Sequence, residues 1–251
     1  MTRRWGTLAL CAAALLPVTT GCLSTEPEPD PMDGFVLRYE EPAATDRTAH
    51  RFLQDRAVAA PVLADLNAYL ALRYGVTVVA RSCSGEGTGY DPATHRIELC
   101  YDDLAEERAL FEQAGSPTAD AQLAEVVRET LYHEAGHALV DALDLPDNGA
   151  RAEEDAADDF ARLMLLRGRP EGEETLLTAA RAYDLAAAAD PDPEDEHAPN
   201  ATRAEAHRCA VHAEAPTRHP SLATPAREPC ATTWPRTRDA WIRDLAPLLR
   251  R

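Results

Sequence analysis

The sequence contains no lysine, because all 25 of its basic residues are arginine. Acidic residues outnumber them at 43, and the formal net charge is −18. A chain with this charge repels nucleic acid, and it gives no electrostatic reason to dock on an anionic lipid surface. The sequence also lacks a C-x-x-C pair, which disfavours a cysteine-based metal site. Apolar residues make up 45% of the 251 residues, which is enough for the core of one domain.

The first residues have the pattern of an export signal. Arg3 and Arg4 precede an apolar stretch, residues 7–18, which is too short to span a bilayer and is typical of a secretory signal peptide. The letters TTGC, ending at Cys22, resemble the lipobox of bacterial lipoproteins, in which the cysteine becomes lipid-modified. We therefore predict a lipoprotein signal peptide over residues 1–21 and an exported protein of the cell envelope, with plain secretion as the alternative.

A segment rich in proline and acidic residues follows this signal. Residues 22–45 contain STEPEPDPMDG, a composition that is typical of an extended, unpacked tether. We assign the folded domain to residues 46–251, and its first ordered residue is expected between residues 35 and 46.

Of the six cysteines, Cys11 lies in the predicted signal peptide and Cys22 is the predicted lipid-modified residue. Four remain in the folded domain: Cys83, Cys100, Cys209 and Cys230. An even number of cysteines in an exported protein predicts two disulfides. Three pairings are possible. We favour Cys83–Cys100 and Cys209–Cys230, since each pair closes a short loop between sequence neighbours.

The spacing of apolar residues predicts several helices and a few strands. Residues 76–80, VTVVA, indicate a strand, and residues 85–101 indicate a hairpin. A helix is predicted over residues 118–143 and another over residues 150–167. The first of these helices carries one apolar stripe, made of residues at steps of four: Leu123, Val127, Leu131, Ala135 and Leu139.

The predicted helix 118–143 contains the letters HEAGH. His133 and His137 are four residues apart, so they share one helix face and are close enough to bind the same ion. Glu134 is rotated by roughly 100° from His133, so it stands beside such an ion without binding it. This is the H-E-x-x-H arrangement, in which the glutamate takes a proton from zinc-bound water. Gly136 is unusual, because glycine inside a helix costs about 1 kcal/mol relative to alanine; a close approach of another backbone or of substrate would explain it.

A catalytic zinc ion needs a third protein ligand. The metzincin pattern is excluded, because its glycine and histidine positions are occupied by Val140 and Leu143. Downstream, Glu154 and Asp158 are four residues apart and share a helix face.

Here the sequence resembles the gluzincins, whose third ligand is a glutamate on a second helix. The resemblance implies that Glu154 is this ligand and that Asp158 orients a ligand histidine. Glu153 and Asp155 remain alternatives for the third ligand.

Three longer segments extend the resemblance to a family of bacterial secreted zinc metallopeptidases: YDPATHRIELCY, HEAGHALVDALDLPDNGARAEEDAADDFA and DEHAPNATRAEAHRC. The resemblance covers about residues 75–245. The last segment matches a family pattern at Asp195, Glu196, His197, Arg203 and Cys209. It departs from the family after the arginine, where the residues at 204–206 are Ala-Glu-Ala. By its similarity to a downstream histidine of thermolysin-like enzymes, His197 is a candidate donor of a hydrogen bond to the reacting oxyanion, and an exposed loop histidine is the alternative.

Together these features predict a mainly helical α+β, zincin-like domain with a small antiparallel sheet. The resemblance implies a Zn²⁺ cofactor and hydrolysis of a peptide or protein substrate. The lipobox-like TTGC predicts contact with a membrane only through a lipid anchor at Cys22. Two alternatives remain, a cell-surface binding lipoprotein without turnover and a zinc amidase acting on a non-protein substrate. His207 lacks a partner at ligand spacing and is expected at the surface; Tyr90 either approaches substrate or packs in the hairpin.

Overall fold

The computed structural model describes residues 34–167, 170–189 and 196–250. The predicted signal peptide, Cys22 with the rest of the first half of the tether, and Asp195 lie outside the described residues. The strands are β1 (Phe35–Tyr39), β2 (Val76–Arg81), β3 (Gly89–Asp91) and β4 (Arg96–Cys100). The helices are α1 (Arg47–Arg56), α2 (Ala59–Tyr69), α3 (Tyr101–Gln113), α4 (Ala119–Ala142), α5 (Ala150–Leu166), α6 (Pro170–Ala189), α7 (Asn200–Glu214) and α8 (Cys230–Leu245).

The four strands form one mixed sheet in the order β1-β2-β4-β3. The mainly helical α+β class is confirmed, but the expected antiparallel sheet is wrong for two of the three strand pairs. Strand β2 runs parallel to both β1 and β4, and only β3 and β4 are antiparallel among the described strands. Helices α1 and α2 form a crossover between β1 and β2, and a crossover connection makes neighbouring strands parallel. The hairpin then places its second strand, β4, beside β2.

Strand β1 lies inside the segment that the sequence assigned to the tether. It pairs with β2 along its whole length, and Phe35 is buried. The Asn67 side chain on α2 fixes the start of the strand, because Phe35 N donates to Asn67 Oδ1 at 2.8 Å and Asn67 Nδ2 donates to Phe35 O at 2.8 Å. The folded unit therefore includes residues 35–45, so its beginning precedes the assigned boundary at residue 46.

Helix α4 lies at the centre of the helical layer, where it packs against α2, α3, α5 and α6. All five residues of its predicted apolar stripe are buried, with at most 1% of their surface exposed. Burying this stripe on several sides fixes the rotation of the helix, and that rotation decides where the side chains of its opposite face point.

Two disulfides join neighbouring elements, and both have the pairing that the sequence favoured. Cys83 follows β2 and bonds to Cys100 at the end of β4, while Cys209 on α7 bonds to Cys230 at the start of α8. Disulfides persist in oxidising compartments, so they indicate an exported protein. In the described part of the chain, none of the helices combines the length and apolar character that crossing a membrane requires.

Candidate metal centre and active site

Helices α4 and α5 are in unusually close contact at Gly136. A Cβ atom built on this glycine would lie 2.7 Å from Ala157 Cα and 3.1 Å from Ala157 O. The close approach of the α5 backbone therefore explains the glycine inside HEAGH. Of the two explanations considered for this glycine, another backbone or substrate, the structure supports the first. Gly136 lies between His133 and His137, and Ala157 lies between Glu154 and Asp158, so this contact brings the two motifs together.

The side chains of these motifs converge on one carboxylate oxygen. Glu154 Oε2 lies 3.1 Å from His133 Nε2 and 3.3 Å from His137 Nε2. The two Nε2 atoms are 3.2 Å apart. All three residues lie within a cleft between α4, α5 and β3 whose volume is about 240 Å³.

His197, which lies just before α7, joins the same cluster. Its Nε2 atom is 2.8 Å from Glu154 Oε2, and its ring stacks on that of His133 with the centroids 5.6 Å apart. Ligand atoms of His133, Glu154 and His197 all lie within 4.8 Å of one another. The His197 side chain is 29% exposed, whereas that of His133 is 5% exposed, so His197 stands nearer the mouth of the cleft.

Two further carboxylates contact the histidines on the side away from Glu154. Asp158 Oδ1 lies 2.9 Å from His133 Nδ1, and Glu153 Oε1 lies 3.0 Å from His137 Nδ1. A carboxylate that accepts the Nδ1–H hydrogen leaves the Nε2 lone pair facing the cluster. Asp155, the other alternative ligand, instead accepts from Arg151 Nε at 3.2 Å on the exposed face of α5. Of the three acids considered as the third ligand, only Glu154 faces both Nε2 atoms.

Burial and charge give the cluster unusual pKa values. For His133, burial alone would lower the pKa, but contacts with Asp158 and Glu154 outweigh burial and raise it to about 10. For Glu154, burial would raise the pKa, but the close imidazoles of His133, His137 and His197 hold it well below its ordinary value. These opposite shifts show a site in which imidazole and carboxylate groups stabilise each other's charge.

Glu134 differs from the other acids of the cleft. Its side chain is buried, with 5% of the residue exposed, and it lines the cleft beside the histidines. Within the described part of the chain, its Oε2 atom has no hydrogen-bond partner. Burial raises its pKa, and the nearby imidazoles of His133 and His137 offset part of that effect.

Residues of the hairpin form the opposite wall of the cleft. Thr88, Gly89 and Tyr90 line it along β3, which is an edge strand. The Tyr90 hydroxyl donates to Asp141 Oδ2 at 2.8 Å, and the Tyr74 hydroxyl donates to the same oxygen at 2.7 Å. Asp141 lies one helical turn after His137 on α4. Tyr90 therefore both lines the cleft and attaches the edge strand to the helix that carries the histidines.

A family model described as "Putative metallopeptidase" (DUF4344) matches residues 39–245, which is most of the chain. The chain belongs to this metallopeptidase family. Comparison with curated proteins and with solved structures gives no match, so the roles of individual residues rest on this chain's own geometry.

Membership of a metallopeptidase family raises the question of whether these residues fit a metal ion. Glu154 Oε2 is buried and faces three ring nitrogens within 3.3 Å, yet among the described residues it makes no well-aligned hydrogen bond. Atoms that share a central cation point at the ion and not along each other's hydrogens. A set of imidazole nitrogens and one carboxylate oxygen suits zinc and similar divalent ions. The residues present therefore fit a metal.

Sequence reasoning missed several buried residues around this centre. His207, expected at the surface, is fully buried at 0% exposure, and so are Glu129 at 1% and Arg162 at 6%. The expectation for His207 was wrong because its partners lie on other helices, and spacing along one segment cannot reveal them. A weak signal was available for Glu129, which precedes His133 by one helical turn and therefore lies on the ligand face of α4.

Proposed function

We propose that the protein is a zinc-dependent metallopeptidase that hydrolyses peptide bonds. The observation that carries this proposal is the buried Glu154 oxygen that faces three imidazole nitrogens, beside the Glu134 carboxylate, whose Oε2 has no partner among the residues that the structure describes. His133, His137 and Glu154 would hold the ion. Catalytic zinc sites have three protein ligands and keep another position open for water or substrate. We therefore assign His197, at the mouth of the cleft, to the substrate and not to the ion.

The metal, when bound, would polarise the scissile carbonyl and lower the pKa of the attacking water. In this proposal Glu134 takes the proton from that water and later delivers it to the leaving amine. A raised carboxyl pKa suits both steps, because the group must accept the proton and then release it. His197 donates a hydrogen bond to the oxygen that becomes negative, as expected from the resemblance.

Two carboxylates behind the ligand histidines would keep each imidazole in one tautomer. Asp158 accepts from Nδ1 of His133, and Glu153 accepts from Nδ1 of His137. Each acceptor fixes the ring orientation and increases the basicity of the Nε2 atom that binds the ion. Glu153, weighed above as a ligand, thus takes the same role for His137 that Asp158 takes for His133.

A peptide substrate would lie along β3. This strand is at the edge of the sheet, and Gly89 and Tyr90 lie at the cleft wall. An extended peptide can add to such an edge by backbone hydrogen bonds, which would place one of its carbonyl groups near the histidines. We further propose that the substrate is met outside the cytosol, with the enzyme attached to a membrane through a lipid on Cys22.

The test of this function compares Glu134→Gln with the wild type. Both proteins should bind one zinc ion, since Glu134 is not a ligand. The variant should cleave unfolded proteins about 10²–10⁴-fold more slowly, the usual contribution of general acid–base catalysis. Asp155→Asn is the matched control: it removes one acidic charge from the exposed face of α5 and should leave cleavage unchanged.

Other results of this comparison would favour one of the two alternative functions or refute the role of Glu134. Stoichiometric zinc without cleavage of a broad peptide panel would favour the non-catalytic binding lipoprotein. Cleavage of a non-peptide amide, in a reaction that Glu134→Gln abolishes, would favour the zinc amidase. Full activity of Glu134→Gln would refute the assignment of Glu134 as the base.

A further inference from the structure

A ring of polar side chains, three of them buried and two half-buried, lies beside Asp158 on the side away from the metal centre. It is made of Glu129 on α4, Arg162 on α5, Tyr183 on α6, and Arg203 and His207 on α7. None of these residues reaches the cleft, and the mechanism proposed above uses none of them. We refer to these five residues as the support ring.

Arg203 connects the support ring to the metal centre. Its Nη2 donates to Asp158 Oδ1 at 2.8 Å and its Nε donates to Asp158 Oδ2 at 3.1 Å. This two-point contact fixes the plane of the carboxylate as well as its position. Because Asp158 Oδ1 also contacts His133 Nδ1 at 2.9 Å, the guanidinium of Arg203 determines how the carboxylate faces the imidazole.

The other members hold Arg203 in place through α6 and α4. The guanidinium lies 4.3 Å from the centre of the Tyr183 ring, a cation–π contact. The Tyr183 hydroxyl donates to Glu129 Oε2 at 3.2 Å, and the other carboxylate oxygen, Oε1, lies 3.1 Å from His207 Nε2. Glu129 is one helical turn before His133, so the ring returns to the helix that carries the histidines.

Arg162 closes the ring through His207. Its Nη1 lies 3.2 Å from His207 Nδ1 and 3.9 Å from Asp158 Oδ2. An arginine can only donate, so Nδ1 of His207 accepts and Nε2 carries the hydrogen that is donated to Glu129. The donor and the acceptor are therefore assigned for every hydrogen bond in the ring.

Burying the charged side chains of this ring costs solvation free energy, so stability alone does not account for the ring. Buried ions lose their solvation by water, and well-packed apolar side chains of similar volume often give equal or greater stability. Arg162 and Glu129 are 6% and 1% exposed, and His207 between them is 0% exposed. Such a network contributes most through the fixed positions of its members.

We infer that Arg203 and His207 are positioning residues of the metal centre, which act through Asp158 on the orientation of His133. The inference rests on the proposed function only in requiring that His133 binds a metal. The metal site would thus depend on the support ring as well, whose residues lie on four helices. The ring does not take part in proton transfer; it determines how tightly and in what geometry the ion is held.

The test measures zinc affinity by chelator competition and the thermal unfolding of the metal-free protein. Arg203→Met removes the two-point contact, and we expect the dissociation constant for zinc to rise at least about tenfold, the lower end of the effect of losing a second-shell partner. Arg203→Lys keeps the charge but offers one ammonium in place of the fork, so its dissociation constant should lie between those of Arg203→Met and the wild type. If Arg203→Met does not fold, Arg203→Lys decides.

The matched control is Arg208→Met on the same helix. Arg208 pairs with Asp184 at the surface, where Nη1 lies 3.3 Å from Asp184 Oδ1, so the control removes the same charge without touching the ring. It should leave zinc affinity unchanged. A second comparison uses His207: Gln can accept from Arg162 and donate to Glu129, so His207→Gln should keep wild-type affinity while His207→Leu should not.

A spectroscopic readout separates positioning from general stability. Cobalt(II) in place of zinc should give a visible spectrum that changes in Arg203→Met and is preserved in Arg208→Met and His207→Gln. Wild-type zinc affinity in Arg203→Lys and Arg203→Met, or an affinity loss that merely follows the loss of thermal stability in all variants, would overturn the inference while leaving the proposed function intact. A wild type that binds no zinc would overturn both.

Discussion

Replacing Gly136 with alanine should force apart the two helices that carry the proposed zinc ligands. The added Cβ would lie 2.7 Å from Ala157 Cα and 3.2 Å from Ala157 Cβ. Non-bonded carbon atoms pack at about 3.5–4.0 Å, so α5 would have to retreat from α4 by roughly 1 Å. The atoms in the way are backbone atoms and the Cβ atom of Ala157, so no side-chain rotation can relieve the contact.

The energetic effect combines two opposing terms. Alanine gains about 1 kcal/mol over glycine inside a helix, and overpacking a tight contact costs about 1–3 kcal/mol. The free energy of unfolding of the metal-free protein should therefore fall by about 0–2 kcal/mol. Function should suffer more, because Ala157 lies between Glu154 and Asp158, and a displacement of about 1 Å at a reacting centre can slow a reaction about 100-fold.

The assay measures three quantities on the same preparation: denaturant unfolding of the metal-free protein, zinc affinity and cleavage of an unfolded protein. Ala105→Gly, at an exposed position within α3, is the control that reports the glycine–alanine difference without any packing change. A Gly136→Ala protein that gains about 1 kcal/mol and keeps wild-type zinc affinity would show that α4 and α5 do not touch at this point.

Three further predictions concern the carboxylates that contact the ligand histidines, a half-buried acid and a disulfide. Asp158→Asn should weaken zinc binding about 10–100-fold, and Glu153→Gln should weaken it less, because the side chains are 5% and 49% exposed; chelator competition on both variants checks the order. Burial, followed by the negative charges of Asp103, Glu129 and Glu106, raises the pKa of Glu107 from 4.5 to about 8. The folded protein binds this proton more tightly than the unfolded chain does, so the free energy of unfolding should fall as the pH rises between these values. Glu107→Gln should remove this fall, which denaturant unfolding at pH 5 and pH 8 would measure. An unchanged pH dependence in the variant would contradict the prediction. Replacing Cys209 and Cys230 together by serine opens a loop of 21 residues and should lower the free energy of unfolding by about 3 kcal/mol, measured by denaturant unfolding; a change below about 1 kcal/mol would count against the loop-entropy argument.

The helices were predictable where local periodicity is strong. The predicted helix over residues 118–143 corresponds to Ala119–Ala142, and the one over residues 150–167 corresponds to Ala150–Leu166. The same local rule places His133 beside His137, and Glu154 on the same face as Asp158, because residues four apart meet on a helix. Local periodicity does not reveal that these two helix faces meet each other. That expectation came from the resemblance to gluzincins and from Gly136, whose place inside a helix indicated a close approach.

Other features depend on contacts between distant segments. Strand β1 lies within the segment assigned to the tether and is recognisable only by its pairing with β2. The parallel direction of β2 and β4 depends on which strand of the hairpin lies inside the sheet. The break between α1 and α2 occurs at Ala57, which has a positive φ of 47°, and Pro61 is accommodated in the first turn of α2. The support ring draws on four helices, so no pattern along one of them predicts it.

The Cys209–Cys230 bond has a practical consequence for anyone who prepares this protein. Cys209 lies two residues after His207, and its bond fixes α7 to the start of α8. Material produced in a reducing cytosol would lack this covalent attachment, and α7 would then hold Arg203 against Asp158 through non-covalent packing alone. Metal content and turnover are therefore best measured after oxidative folding has been verified, since a thiol-containing sample would report on an immature form of the centre.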